Sequence, residues 1–509
     1  MDIGIRNYIQ RKGSEVSVPY AGIAHKTAAG RLMVVSNRLP IALHKGSNGA
    51  WQANPGSGGL ITALSPVLRS SGGIWIGWPG TCEAASLDGQ LHSAGRKVGC
   101  SFMPVSLSEE EMKHYYLGFS NESLWPLFHD LPSYCKFDSE KWKIYQRVNR
   151  KFAGVAAENL REGDLLWVHD YHLFMLAREL HNFGISPQIG FFLHTPFPSA
   201  DIFGALPWRK EILEAMLEYD LIGFQTLRDK NNFIQCAETY LQCISVSDIS
   251  GLDLIILPER EVGVGVFPIS IDFEEFAGEA AQRPVADRVN ELHRSNLGRH
   301  IILGVDRLDY SKGIPLRLEA YREAIRNFPD LKKKVTMIQI VVPSREDIES
   351  YQKLRGEIER MVKEINDDFS HADWQPVEYH YHSIPREELL AYYRAASIAL
   401  ITPIKDGMNL VAKEFCAANV DENGVLILSE FAGTASQFNS SAILVNPYDS
   451  EAVALAIRQA VYMKSGERKQ RMRKLRNNVR SEDIYWWADR FLKQITLNPN
   501  GSKASHIKK

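Results

Sequence analysis

Short apolar, β-branched runs alternate along this chain with stretches whose apolar residues recur at helical spacing. The runs are Leu32 to Ser36, Ile74 to Gly77, Leu165 to His169, Ile189 to Leu193, Ile301 to Val305, Val335 to Val342, Ile398 to Thr402, Val425 to Leu428 and Ala442 to Val445. Each has the length of a buried strand. Helical periodicity marks Gly58 to Leu68, Met175 to Phe183, Leu213 to Leu217 with its flanks, Leu316 to Phe328, Tyr351 to Ile365, Arg386 to Ala395 and Glu451 to Met463. Strand, helix, strand repetition predicts parallel sheets covered on both faces. One series of strands ends near Phe267-Pro268-Ile269-Ser270-Ile271-Asp272, and a charged, less apolar stretch to Arg299 precedes the next. The fold class is therefore α/β, with two doubly wound Rossmann-like domains facing a cleft. The expected division is an extension over 1–30, domains over 31–270 and 271–480, a terminal helix over 481–495 packing across the joint, and a flexible tail over 496–509.

Two strand ends carry the chemistry of phosphate binding. Ile398 to Ile401 runs into Ile404-Lys405-Asp406-Gly407-Met408-Asn409-Leu410-Val411-Ala412-Lys413-Glu414, which opens directly into a helix. The first turn of a helix has unpaired N–H groups and partial positive charge, so such a turn binds a diphosphate through its backbone. Ile301 to Val305 ends in Asp306-Arg307-Leu308-Asp309-Tyr310-Ser311-Lys312-Gly313, placing a guanidinium and an ammonium where open parallel sheets bind ligands. Together they suggest a nucleotide diphosphate. There is no Gly-x-Gly-x-x-Gly fingerprint, which argues against a nicotinamide dinucleotide.

Composition narrows the partners. The 509 residues exceed what one core usually supports, and 45% hydrophobic with 24% charged content is ordinary for a globular protein. A formal charge of −2 lacks the footprint of a nucleic-acid binder, and no apolar run approaches the roughly eighteen residues of a membrane span. Six scattered cysteines without Cys-x-x-Cys spacing argue against a zinc site or disulfide framework, so a reducing cytoplasm is expected. A homo-oligomer is compatible with these features.

Further candidates sit at strand ends, each with a plain structural alternative. Ser36-Asn37-Arg38 and Gly56-Ser57-Gly58-Gly59-Leu60 offer a guanidinium and a flexible backbone to a phosphorylated ligand, or a surface arginine and a turn. Asp170, in His169-Asp170-Tyr171-His172, is a base or sugar ligand, or the cap of a helix beginning near Tyr171. His169 and His172 have metal-pair spacing but no nearby third ligand. His194, in Phe191-Phe192-Leu193-His194-Thr195-Pro196-Phe197-Pro198, is held by two prolines as a ligand or a structural histidine. Tyr115-Tyr116 and Leu124-Trp125-Pro126, in a region that reads as loop-rich, are core aromatics or the wall of a sugar site. Arg345, after Pro343-Ser344, is a surface arginine or, with Arg38 from the opposite domain, half of a clamp for one phosphate.

Taken in order, these segments, with Leu428-Ser429-Glu430-Phe431-Ala432-Gly433, resemble the trehalose-6-phosphate synthases, retaining glucosyltransferases of the two-domain GT-B type, from about Arg31 to about Phe491. The resemblance implies an acceptor-binding first domain and a nucleotide-sugar-binding second one. It implies transfer of glucose from a nucleotide diphosphate glucose, with UDP-glucose the expected donor, to glucose 6-phosphate, giving α,α-trehalose 6-phosphate. Arg307 and Lys312 would neutralise the donor diphosphate with Gly58 and Gly59 close by. Leu410, Val411, Ala412, Lys413 and Glu414 would hold the nucleotide sugar, Glu414 at the ribose. Arg38, Tyr116, Asp170 and Arg345 would bind glucose 6-phosphate, Trp125 would shape acceptor choice, and His194 and Asp406 would contact the transferred glucose. No metal and no cofactor is implied, the nucleotide sugar being a co-substrate.

Lys405 stands where the resemblance leads one to expect arginine, and Ser270 where glycine is common. No Asp-x-Asp-Gly-Thr phosphatase signature follows, so the product would stay phosphorylated. Two other readings are a related synthase using glycerol 3-phosphate and a non-catalytic sugar-phosphate sensor. The retained Arg38, Tyr116, Trp125 and Asp170 speak against the first, and the retained Arg307, Lys312, Asp170 and Glu414 against the second.

Overall fold

Strand Leu32–Arg38 is buried along its length except at Arg38, so it must lie inside a sheet covered on both faces. In the computed structural model, which describes residues 30–45, 51–55, 64, 68, 73–82, 87–247, 251–371 and 373–497, it does. The predicted extension up to residue 29, the tail from 498, Gly58, Gly59 and most of the helix expected over 58–68 lie outside the described residues, while residues 496 and 497, expected in the flexible tail, are the end of the last helix.

The first sheet has nine strands in the order Ser101–Pro104, Ile74–Trp78, Leu32–Arg38, Leu165–His169, Gln188–Phe192, Leu221–Phe224, Glu261–Val266, Asp253–Ile256 and Ile244–Ser247. All neighbours pair in parallel as far as Glu261–Val266, and the last two strands are antiparallel. The second sheet, wholly parallel, runs Val377–His380, Val335–Val342, His300–Arg307, Ile398–Ile401, Val425–Ser429, Ile443–Val445. In both sheets the strand that comes first in the chain has its successor on one side and a much later strand on the other. That reversal opens a crevice at the carboxyl ends of the two central strands. In the first sheet it lies between Leu32–Arg38 and Leu165–His169. In the second it lies between His300–Arg307 and Ile398–Ile401.

Several elements depart from the sequence reading. Ser101–Pro104, Leu221–Phe224 and Val377–His380 are strands too short or too polar to stand out by periodicity alone. The charged stretch before Arg299 is two helices, Phe273–Ala280 and Arg283–Ser295. The region expected to be loop-rich is helical: a reciprocal Ser108–Glu111 capping box starts a turn that continues as the π-helix Met112–Leu124. Gly118, Ser120, Asn121 and Ser123 are weak helix formers, which hides the element in the sequence.

The last helix, Ile484–Leu497, lies on the first sheet. Trp487 and Phe491 stack on Trp167 with ring centroids 4.8 and 4.6 Å apart, and Phe491 also packs on Phe192 and Phe267. Each fully buried aromatic of this kind contributes about 1.5–3 kcal/mol. All six cysteines are free thiols. Among the described residues no helix is long and apolar enough to cross a membrane.

Candidate active site

The second domain's crevice is built around a short capped turn. Arg307 ends strand His300–Arg307 with its side chain exposed, and the Asp309 carboxylate then accepts the Ser311 N–H at 2.9 Å to start the turn Tyr310–Lys312. Gly313 closes it at φ 63, where an added Cβ would lie 2.8 Å from the Thr402 carbonyl oxygen. Lys312 is thereby turned toward the neighbouring strand end, and its Nζ donates to Asp406 Oδ2 at 2.5 Å. Asn409, at φ 76, donates to the same carboxylate oxygen and accepts the Ala412 N–H, capping helix Leu410–Ala418. The N–H groups of Leu410 and Val411, on part-exposed residues in the first turn, have no intrahelical acceptor and are available to an anion.

Lys413 and Glu414 are differently placed. The Lys413 ammonium is fully buried, points away from the crevice and donates to the Ile269 carbonyl oxygen at 2.8 Å, and burial pushes it down to about 7. Glu414 is half-buried, accepts a hydrogen bond from the Tyr393 hydroxyl at 2.9 Å, and is raised by burial.

In the first domain, Arg38 is exposed at the end of the central strand, its guanidinium 5.1 Å from the Trp78 ring. Asp170 follows the neighbouring strand at φ 74, a strained conformation for a non-glycine residue. It caps no helix, since its Oδ1 accepts the His194 N–H at 3.3 Å. Burial pushes the Asp170 carboxyl up to about 6, against the pull of the N–H groups of Tyr171, His194 and Thr195 and of the Arg307 charge across the crevice. His194 is pushed down to about 3 by burial, with its Nε2 on His169 Nδ1. His169 and His172 do not act together. The His172 ring stacks on Tyr116 and Tyr171 instead, and no metal-binding cluster occurs among the described residues. Tyr115 is wholly buried and bonded to Asn37, whereas Tyr116 is part-exposed beside Trp78.

Because the folded Asp170 carboxyl lies above its ordinary value of 3.8, the folded state holds an extra proton between that value and about 6. Stability therefore falls as pH rises through this window and stays lower above it. Asp170→Asn removes the dependence while keeping an acceptor for His194. Thermal melts are expected to show the variant gaining on the wild type from about pH 4 to 6.5, then running parallel to it. A difference that does not change with pH would remove burial as the controlling influence.

The two halves meet across the groove. Trp125 Nε1 donates to Asp309 Oδ1 at 3.3 Å, Arg345 donates to the Tyr171 hydroxyl at 3.4 Å, and Lys405 pairs with Asp130. Gly407 packs so closely on His194 that a Cβ would lie 2.0 Å from the His194 carbonyl oxygen. Arg345, at φ 50, lies 4.2 Å from the Trp125 ring centroid and binds Asp309 at 3.1 Å and the Tyr351 hydroxyl. A row of rings, Trp78, Tyr116, His172 and Tyr171, runs from Arg38 to Arg345.

Asp309, Tyr171 and Tyr351 are absent from the sequence reading as site residues, and His169 enters it only as half of a metal pair. Asp309 lies inside a motif singled out there, but its use as a hub depends on partners far along the chain. Charges are unevenly matched. Lys312 and Arg345 are tied to Asp406 and Asp309, whereas Arg38 and Arg307 have no ion-pair partner among the described residues. Burial would raise Asp406 and Asp309. Lys312 for the first and Arg345 for the second hold them below the usual carboxylate range.

A groove with this geometry has known counterparts. The chain is 41% identical over 486 residues to the α,α-trehalose-phosphate synthase [UDP-forming] A of Dictyostelium discoideum, covering 94% of this chain and 64% of that relative's length. It is 40% identical to a trehalose-6-phosphate synthase of Mycolicibacterium vanbaalenii over 93% of this chain and 97% of the relative. The crystal structure of an α,α-trehalose-phosphate synthase (UDP-forming) from Burkholderia xenovorans in complex with glucose-6-phosphate superposes with a TM-score of 0.82 at 33% identity, covering 92% of this chain and all of that one. An E. coli structure bound with UDP-2-fluoro glucose gives 0.81 at 34% identity, covering 92% and 99%. The family model for glycosyltransferase family 20 matches residues 30–497. Spanning both sheets and the groove between them, that match makes the chain a member of glycosyltransferase family 20.

Proposed function

We propose that this protein transfers glucose from UDP-glucose to glucose 6-phosphate with retention at the anomeric carbon, giving α,α-trehalose 6-phosphate and UDP. The observation that carries this reading is the facing of two strand-end crevices: one has an exposed guanidinium, 5.9 Å from the Trp125 ring centroid and without an ion-pair partner among the described residues, and open helix N–H groups, the other a carboxylate and an aromatic wall. Relatives named as UDP-forming trehalose-phosphate synthases support the donor and acceptor.

The donor diphosphate lies against Arg307, Lys312 and the N–H groups of Leu410 and Val411, with Glu414 taking the ribose hydroxyls. Lys413 serves only through its backbone, because its ammonium is turned into the interior. Arg38 from the first domain and Arg345 from the second hold the acceptor phosphate. Tyr116 and Trp125 form the wall, Asp170 accepts from an acceptor hydroxyl, and His194 and Asp406 contact the glucose being transferred. As the bond from C1 to the diphosphate oxygen breaks, the acceptor oxygen forms its bond to C1 on the same face, and the acceptor proton passes to the departing phosphate oxygen. Arg307 stabilises the charge that develops, and Lys312 does so once the diphosphate shares it with Asp406. Protein cations serve in this scheme without a metal.

The test mixes purified protein with UDP-, GDP- or ADP-glucose and either glucose 6-phosphate or glycerol 3-phosphate, following nucleotide release and product mass. UDP release with a disaccharide phosphate is expected. Turnover with glycerol 3-phosphate alone would replace the acceptor, and sugar-phosphate binding without turnover in any mixture would make the protein a sensor.

A further inference from the structure

A buried imidazole and a part-exposed one meet behind the groove. His169 ends strand Leu165–His169, His194 follows the adjacent strand Gln188–Phe192, and His169 Nδ1 lies 3.0 Å from His194 Nε2. At that separation one nitrogen carries a hydrogen and the other accepts it. Burial keeps both rings neutral, so a single hydrogen lies between them.

The third nitrogen decides which ring owns it. Among the described residues His169 Nε2 is buried without a hydrogen-bond partner, and its ring is walled by Trp167 at 4.7 Å, Phe192 at 6.3 Å and Trp487 at 6.4 Å. The indole N–H groups of Trp167 and Trp487 have no partner among the described residues either, so neither reaches it. Beside tilted aromatic rings an N–H can gain weak attraction from their π density, which a lone pair cannot. His169 therefore carries its hydrogen on Nε2, its Nδ1 accepts, and His194 donates from Nε2. The bare Nδ1 of His194 then sits on a part-exposed ring whose main chain touches Asp170 on one side and Gly407 on the other.

We propose that His169 is a positioning residue for His194: it accepts the His194 Nε2 hydrogen and fixes the tautomer that presents an unprotonated Nδ1 to the groove. There His194 Nδ1 takes a hydrogen bond from a hydroxyl of the sugar being transferred. This last step rests on the transferase reading. Helix Ile484–Leu497 thereby acquires a part in the site, since Trp487 helps close the apolar wall that selects the tautomer.

The direct test is a long-range proton–nitrogen spectrum of the full chain, deuterated and labelled with nitrogen-15 histidine, with His194 identified from the signals lost in His194→Gln. A bare Nδ1 and a protonated Nε2 are expected, and the reverse pattern overturns the proposal whether or not the protein turns over any sugar. Kinetics supply the second arm. An amide oxygen can stand in for the accepting Nδ1, so His169→Asn should keep kcat/KM for UDP-glucose within about threefold, while His169→Phe should lower it about tenfold without changing KM for glucose 6-phosphate. In a His194→Ala background, His169→Phe should add nothing. Equal losses in both backgrounds, or equal behaviour of the Asn and Phe variants, would overturn it. Absence of turnover in the wild type would count against the transferase reading, leaving the spectrum to decide the tautomer.

Discussion

Replacing Arg307 with alanine is expected to lower kcat for glucosyl transfer about 100- to 1,000-fold while leaving the melting temperature near that of the wild type. The guanidinium is exposed at a strand end and has no ion-pair partner among the described residues, so the fold does not depend on it. Its charge acts across the groove on Asp170, which places it where donor and acceptor meet. Because Arg307 also lies against the bound diphosphate, KM for UDP-glucose should rise as kcat falls, so that kcat/KM falls further than kcat. Lys312→Ala should be milder and less clean, because its removal also leaves the Asp406 carboxylate without its ammonium. Steady-state rates with UDP-glucose and glucose 6-phosphate decide the matter, and an Arg307→Ala enzyme with wild-type kcat would sink the charge-stabilisation argument.

Arg345→Ala is expected to damage both folding and acceptor binding, in ways that can be separated. Its side chain is 6% exposed and its partner Asp309 1% exposed. Removing the guanidinium leaves a buried carboxylate that keeps hydrogen bonds from the Trp125 indole, the Tyr351 hydroxyl and the Ser311 N–H and the more distant charges of Arg307 and Lys312 but loses its ion pair, at a cost of about 3–5 kcal/mol. KM for glucose 6-phosphate should rise about 100-fold as one end of the phosphate clamp disappears. The double variant Arg345→Ala with Asp309→Asn removes the stranded charge, so denaturant midpoints should recover while KM does not. Recovery of both would mean that the arginine acts only through Asp309. Arg345→Lys keeps the charge but loses the fork over Trp125, and should fall between wild type and alanine.

Strands Leu165–His169 and Val335–Val342 and helix Arg386–Ala395 begin and end where side-chain periodicity predicts. A buried strand or an amphipathic helix announces itself within a few residues, so the α/β class and the alternation of elements are legible without coordinates. So are the residue types at strand ends, because motifs such as Asp306 to Gly313 are contiguous. Elements whose apolar content is thin, such as Val377–His380, or whose residues favour helix poorly, such as Met112–Leu124, escape that reading because tertiary packing outweighs their local preference.

The class of fold, the alternation of its main elements and the polar side chains at strand ends are written in short-range spacing. What those side chains do to one another is set by contacts between distant segments. Lys312 and Asp406 are 94 positions apart, and Trp125 and Asp309 are 184 apart. Whether Lys413 faces a nucleotide or the carbonyl of Ile269, and whether His169 meets His194 or His172, depends on strand order and on the approach of the two halves. Burial follows the same rule: a carboxylate or imidazole shifts its proton affinity according to what surrounds it in space, and that surrounding comes from segments far apart along the chain.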